Sequence, residues 1–150
     1  MAVTGAGQRA LITGASRGIG REAARTLASE GWHVIAAVRD PSSAPPGTEA
    51  EAVDMADPAS IEALAARLRR RNQLLDALVN NAGIYKGPSR EIWSVHVLGP
   101  LLLTQAALGH LVARRGAVIF LGSVHTKRAF PGASPYAATK GALERLTGVL

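Results

Sequence analysis

Apolar positions fall into two kinds of run along this chain, and the two kinds alternate. RALIT (Arg9–Thr13) is a short run ending at a glycine, and WHVIAAV (Trp32–Val38) is almost continuously apolar, the pattern of a strand buried on both faces. EAVD (Glu51–Asp54), LLDALVN (Leu74–Asn80) and AVIFLG (Ala117–Gly122) read as three more strands, the last two again buried. Between them the spacing lengthens to that of a helix. Ile19, Ala23 and Leu27 share one face of a helix from about Gly18 to Glu30, and a second runs from Asp57–Pro58 to about Arg71. Asp57 is its candidate N-cap, with Pro58 in the first turn. A turn-rich loop, DPSSAPPGT, separates the second strand from the third, and NNAGIYKGPS precedes a long apolar helix ending near Arg114. A final helix opens with Ser134 as N-cap and Pro135 at its first position. Strand–helix alternation with doubly apolar strands predicts α/β architecture: one domain over residues 1–150, a doubly wound parallel β-sheet flanked by helices on both faces.

Composition narrows the class. Of 150 residues, 47% are hydrophobic and 19% charged, which is globular rather than disordered. The absence of cysteine excludes disulfides and thiolate metal sites, and no metal is expected. The N-terminus, MAVTGAGQRALITG, has no basic segment followed by an apolar one, and no apolar run reads as long enough to span a membrane. The expectation is a cytoplasmic protein with no membrane partner. A net charge of +6 raises the question of nucleic acid. However, the one dense basic run, RLRRR (Arg67–Arg71), closes a helix, where cations offset the negative end of the dipole. No nucleic-acid partner is expected.

The first strand runs into TGASRGIG (Thr13–Gly20). Gly14 allows a tight turn, while Gly18 and Gly20 let backbone approach a ligand and helix approach sheet. The helix N-terminus then offers free N–H groups to a diphosphate. The spacing is G-x-x-x-G-x-G, and a lone glycine loop is weak evidence. Its place in a β–α–β unit of about thirty residues strengthens it. The second strand ends in VRD, so Arg39 precedes Asp40, and Arg17 supplies another cation at the same sheet edge. A ribose 2′-hydroxyl calls for a carboxylate there, a 2′-phosphate for arginine. Two guanidiniums point to NADP(H).

Tyr136 and Lys140, in YAATK, are one helical turn apart and share a face. A free phenol is a poor proton donor at neutrality, and a neighbouring ammonium favours its ionised form, as a general acid/base requires. Ser123, just past the fifth strand, is placed to hydrogen-bond a carbonyl or alcohol oxygen at the same edge.

In this order, TGASRGIG, VDMADPAS, NNAG, the serine of GSV and YAATK resemble the classical short-chain dehydrogenase/reductases, over residues 9–150. The resemblance implies a Rossmann-like fold and a small-molecule carbonyl or alcohol substrate. It implies that Ser123 polarises the substrate oxygen and that Tyr136 donates or accepts the proton. By the same resemblance, Lys140 would assist the tyrosine and hold the nicotinamide ribose. Gly14, Ser16, Arg17, Gly18, Ile19 and Gly20 would cradle the diphosphate, with Arg17 and Arg39 matching the NADP(H)-preferring pattern. It places Asp54 and Met55 by the adenine, and Asn80, Asn81, Ala82 and Gly83 by its ribose. It also implies a homodimer or homotetramer.

The sequence departs from the family pattern in three places. SVHVLGP puts His96 where the family commonly has an asparagine that supports a proton relay; a histidine titrates near neutrality and is a candidate substitute. The stretch from Gly83 to His96 is short for the family. Nothing corresponding to its sixth strand, covering loop and seventh strand is present, so the sequence reads as a truncated chain with an exposed fifth strand. Ile84, Tyr85, His125 and Phe130 are expected near the substrate. The leading expectation is an NADP(H)-dependent oxidoreductase interconverting carbonyl and alcohol, the alternative an inactive dinucleotide-binding relative without turnover.

Overall fold

Five parallel strands form one sheet in the order β3-β2-β1-β4-β5, in a computed structural model that describes residues 5–150. The strands are β1 (Arg9–Thr13), β2 (His33–Val38), β3 (Glu49–Ala52), β4 (Ala77–Asn80) and β5 (Ala117–Phe120). The helices are α1 (Gly18–Ser29), α2 (Pro58–Arg70), α3 (Ser89–Trp93), α4 (Gly99–Arg114) and α5 (Ser134–Thr147). A π turn, Ser94–Leu98, joins α3 to α4 in one helical run.

Side-chain alternation sorts each buried strand between two cores. Leu11, Ile35, Ala37 and Leu78 point to the side covered by Ile61, Leu64 and Leu68 of α2 and by Leu103, Ala107 and Leu111 of α4. Ala10, Ile12, Val34, Ala36, Val38, Ala77 and Val79 point to the other, against Ala24 and Leu27 of α1. Both faces are therefore covered, as the apolar runs require. By length and composition the run Ser89–Arg114 is apolar enough to cross a membrane, contrary to the sequence reading. Here its residues Val95, Leu103, Ala107 and Leu111 are buried in the core on the α2–α4 side, and Ile92 is buried as well.

Three expectations need correction. β3 begins at Glu49, two residues early, because its glutamates are neutralised within the fold. Glu51, 4% exposed, is ion-paired with Arg67 at 2.7 Å and with Arg71, and Glu49 meets Arg71, Gln73 and His33. Those pairs also occupy much of the basic run that ends α2. β5 is not buried on both faces: Ile119 is 47% exposed, and the strand sits at the sheet's edge, paired with β4. Ser134 is the first residue of α5 and not its cap; the helical hydrogen bonds start at the Ala133 carbonyl, which accepts from Ala137 N–H at 2.8 Å. By contrast, the Asp57 carboxylate does cap α2, accepting from Ala59 N–H at 3.0 Å.

Candidate functional site

The carboxyl ends of the strands open on a cavity of about 410 Å3. A clasp between two loops builds its floor. The Thr13 hydroxyl accepts from the N–H groups of Asn81 at 3.1 Å and Ala82 at 3.0 Å. In return, the Asn81 side-chain amide donates to the carbonyls of Thr13 at 2.9 Å and Gly14 at 3.1 Å. The clasp dictates the first glycine: Gly14 has φ +69°, and a Cβ there would stand 2.7 Å from Ala82 Cα. At Gly20 a Cβ would overlap the Asn81 amide at 2.2 Å. Gly18, at φ +57°, faces open space, with nothing within 4 Å of its would-be Cβ.

Helix α1 starts beside this loop, and no side chain among the described residues caps its N-terminus. Uncapped N–H groups and the positive dipole end suit an anion. Arg17 and Arg39 are both exposed on the cavity wall. The neighbouring carboxylate is spent elsewhere. Asp40 accepts from Ser42 N–H at 3.0 Å and Ser42 Oγ–H at 2.8 Å, capping a 3-10 turn over Pro41–Ser43. Those Ser42 bonds hold its carboxyl below the usual carboxylate range. Arg21 is a participant that sequence reasoning missed: it donates to the carbonyls of Ser16 at 3.2 Å and Ser43 at 3.1 Å, tying the glycine loop to the β2–β3 connection. A cation in the first turn is opposed by the dipole, and that mismatch was the available signal.

At the other end of the cavity, α5 presents Tyr136 and Lys140. Lys140 is 5% exposed, and its ammonium donates to the Leu121 carbonyl at 2.7 Å, 5.7 Å from the centre of the Tyr136 ring. Burial lowers its pKa below the ordinary lysine value. Three rings meet Tyr136 edge-on: Tyr85 at 5.0 Å, His125 at 5.0 Å and His96 at 5.3 Å between centroids. The His96 ring, 1% exposed, accepts from Ile84 N–H at Nε2 (2.9 Å) and meets the Thr139 hydroxyl at Nδ1 (2.8 Å).

Most predicted residues converge here. Gly14, Ser16, Arg17, Gly18, Ile19, Arg39, Asp54, Met55, Asn81, Ala82, Gly83, Tyr136 and Lys140 all line the one cavity, as do Ile84 and Tyr85. Four do not. Gly20 and His96 lie beneath the wall; Asn80 is buried with its amide donating to Thr104 Oγ1 at 3.2 Å. Ser123 lines a separate cavity beside Thr126, Lys127 and Glu144. Its hydroxyl is held by its own turn, accepting from His125 N–H at 3.2 Å and standing 3.1 Å from His125 Nδ1. Glu91 and Val95 line the main cavity without having been foreseen.

The short chain dehydrogenase family model matches residues 8–150. The chain belongs to the short-chain dehydrogenase family. It is 37% identical to gluconate 5-dehydrogenase of Gluconobacter oxydans, over 94% of this chain and 63% of that enzyme. The chain thus spans less than two thirds of that relative's length. Among solved short-chain dehydrogenases, a gluconate 5-dehydrogenase from Burkholderia cenocepacia in complex with NADP and tartrate superimposes with a TM-score of 0.85 at 34% identity, covering 95% of this chain and 64% of that one. A metagenomic short-chain oxidoreductase in complex with NADP gives a TM-score of 0.87 at 30% identity, covering 95% and 73% respectively.

Proposed function

We propose that the protein is an NADP(H)-dependent oxidoreductase that interconverts a carbonyl and an alcohol, with Tyr136 as general acid/base. The observation that carries this reading is one cavity with an uncapped helix N-terminus at one end and the Tyr136–Lys140 pair at the other. The residues fit a phosphorylated dinucleotide. Gly18 leaves room for backbone to meet a diphosphate, and Arg17 and Arg39 are disposed for a 2′-phosphate while the Asp40 carboxylate is occupied by Ser42. The two NADP-bound relatives support the same choice. When bound, the cofactor supplies or takes up the hydride.

The chain's own residues manage the proton and the charge. In reduction the Tyr136 hydroxyl gives its proton to the substrate oxygen, and in oxidation the phenolate takes one back. The Lys140 ammonium, oriented by the Leu121 carbonyl, offsets negative charge on that oxygen in a site partly shielded from water. Ser123 adjoins Gly122 on the cavity wall, and we assign its hydroxyl to the substrate oxygen in exchange for His125 Nδ1. Tyr85 forms the wall beside Tyr136. Exposed Leu108 and Val112 on α4 are consistent with a homo-oligomer.

One observation favours a second reading, dinucleotide binding without turnover: Ser123 stands outside the main cavity. Consumption of NADPH with a panel of ketoses, keto acids and diketones separates the two. Turnover excludes the binding-only reading. Saturable NADPH binding with every carbonyl inert removes the enzymatic one.

A further inference from the structure

We infer that His96 is a positioning residue, fixed in a single neutral tautomer, that pins the cavity-wall loop at Ile84 to the backbone of Tyr136. Its place in a relay-bearing position invites the opposite idea, a proton carrier, and the hydrogen-bond logic decides between them. The Thr139 hydroxyl has one hydrogen and gives it to the Tyr136 carbonyl at 2.7 Å. Across the 2.8 Å contact to His96 Nδ1 that hydroxyl must therefore accept, so Nδ1 carries the ring proton. Independently, Ile84 N–H points at Nε2 at 2.9 Å, so Nε2 must be the bare acceptor. The two contacts come from different elements and name the same tautomer.

A relay needs a nitrogen that can gain and lose a proton toward water or toward the lysine. Neither is open here: the ring is 1% exposed and both nitrogens are occupied. Placing a second proton on Nε2 would set two donors, its own N–H and that of Ile84, against each other. The surroundings oppose a charge as well. Of the titratable groups facing the ring from α5, Lys140 is cationic and Tyr136 meets it in a T-shaped contact; the loop beyond β4 brings the Gly83 and Ile84 backbone against Nε2. Burial first, then the Lys140 charge, lowers the His96 pKa to about 4. The path thus formed runs Ile84 N–H to His96, to Thr139, to the Tyr136 carbonyl, and it joins two cavity-lining residues through a side chain that does not itself line the cavity.

The inference rests on the assignment of Tyr136 only for its effect on turnover; the tautomer is read on the protein alone. With 15N-labelled histidine, long-range proton–nitrogen NMR is expected to show His96 as the neutral Nδ1–H form throughout pH 5.5–9. An Nε2–H pattern, or a titration midpoint within that range, overturns the proposal even if turnover is found. Amide exchange gives the second readout. Glutamine can carry its carbonyl oxygen to the place of Nε2, whereas alanine offers no acceptor. Hence Ile84 N–H should exchange about tenfold faster in His96→Ala than in wild type, and stay protected in His96→Gln. Equal Ile84 protection in wild type and alanine variant contradicts the pin. In turnover, a limb of the wild-type pH profile between pH 6 and 7 that vanishes in His96→Gln would make His96 the proton carrier and refute the inference. If no carbonyl is turned over, the enzymatic reading fails while the NMR and exchange results still decide this one.

Discussion

Replacing Thr13 by valine removes one oxygen and leaves nearly the same volume, which makes it a clean probe of the clasp beneath the cavity. Thr13 is fully buried, and its hydroxyl accepts the N–H groups of Asn81 and Ala82 at 3.1 and 3.0 Å. In the variant both donors face a methyl group. Each buried donor left without a partner costs about 1–3 kcal/mol, but the Asn81 and Ala82 residues are only half-buried, so the low end applies to each and the sum is about 2–3 kcal/mol. For a chain of this size that corresponds to a Tm lower by about 5–10 °C. Thr13→Ser, which keeps the hydroxyl, should lose only a fraction of that, largely its methyl contacts. Differential scanning calorimetry on the three proteins makes the comparison. A valine variant melting within about 1 °C of wild type would show that the two N–H groups find other partners, and the clasp would not be what sets the glycine loop against the β4 loop.

Four further outcomes follow from the same geometry. Tyr136→Phe should lose about 10²–10⁴-fold in turnover while its NADPH affinity stays near wild type, since the ring remains and only the acid/base is removed; equal losses in binding and rate would mean a collapsed site. Arg39→Ala should weaken NADPH binding about tenfold or more and leave NADH binding nearly unchanged, read by cofactor fluorescence; parallel losses for both cofactors would contradict the 2′-phosphate assignment. Gly14→Ala, forced to φ +69° with Cβ 2.7 Å from Ala82 Cα, should lower Tm by several degrees or abolish expression, and a variant as stable as wild type would refute the close approach. Because the His96 pKa is depressed to about 4, the unfolded chain binds more protons between that value and the ordinary one near 6.5. Stability should therefore fall by about 3 kcal/mol from this group as pH drops through that window, and the loss between pH 7 and 4 should be smaller by about that amount in His96→Gln when denaturation midpoints are compared.

The parts of this fold that were legible in the sequence are those where one residue type has one physical use. Near-continuous apolar runs marked β1, β2 and β4 because strands covered on both faces admit little else, and Asp57–Pro58 marked the start of α2 because a carboxylate before an N-terminal proline caps a helix. The glycine loop and the Tyr136–Lys140 spacing were readable for the same reason, and the structure brings them to one cavity. What escaped depends on partners far along the chain. Glu49 and Glu51 look foreign to a strand until Arg67, Arg71 and Gln73, some twenty residues later, neutralise them. Arg21 went unread, and only the fold brings the Ser16 and Ser43 carbonyls to its guanidinium. Asn80 and Asn81 are adjacent and alike, yet strand alternation sends the first into the core toward Thr104 and leaves the second to build the clasp. For His96, the sequence named the position but not the tautomer, which is set by an amide twelve residues upstream and a hydroxyl forty-three residues downstream.

The central claim is that one cavity joins a phosphorylated dinucleotide to a proton donor at Tyr136. The most direct test follows NADPH oxidation against the carbonyl panel in wild type and Tyr136→Phe, with NADPH binding measured on both. The account expects wild-type turnover that collapses in the phenylalanine variant while NADPH still binds. Turnover that survives the loss of the Tyr136 hydroxyl would contradict it.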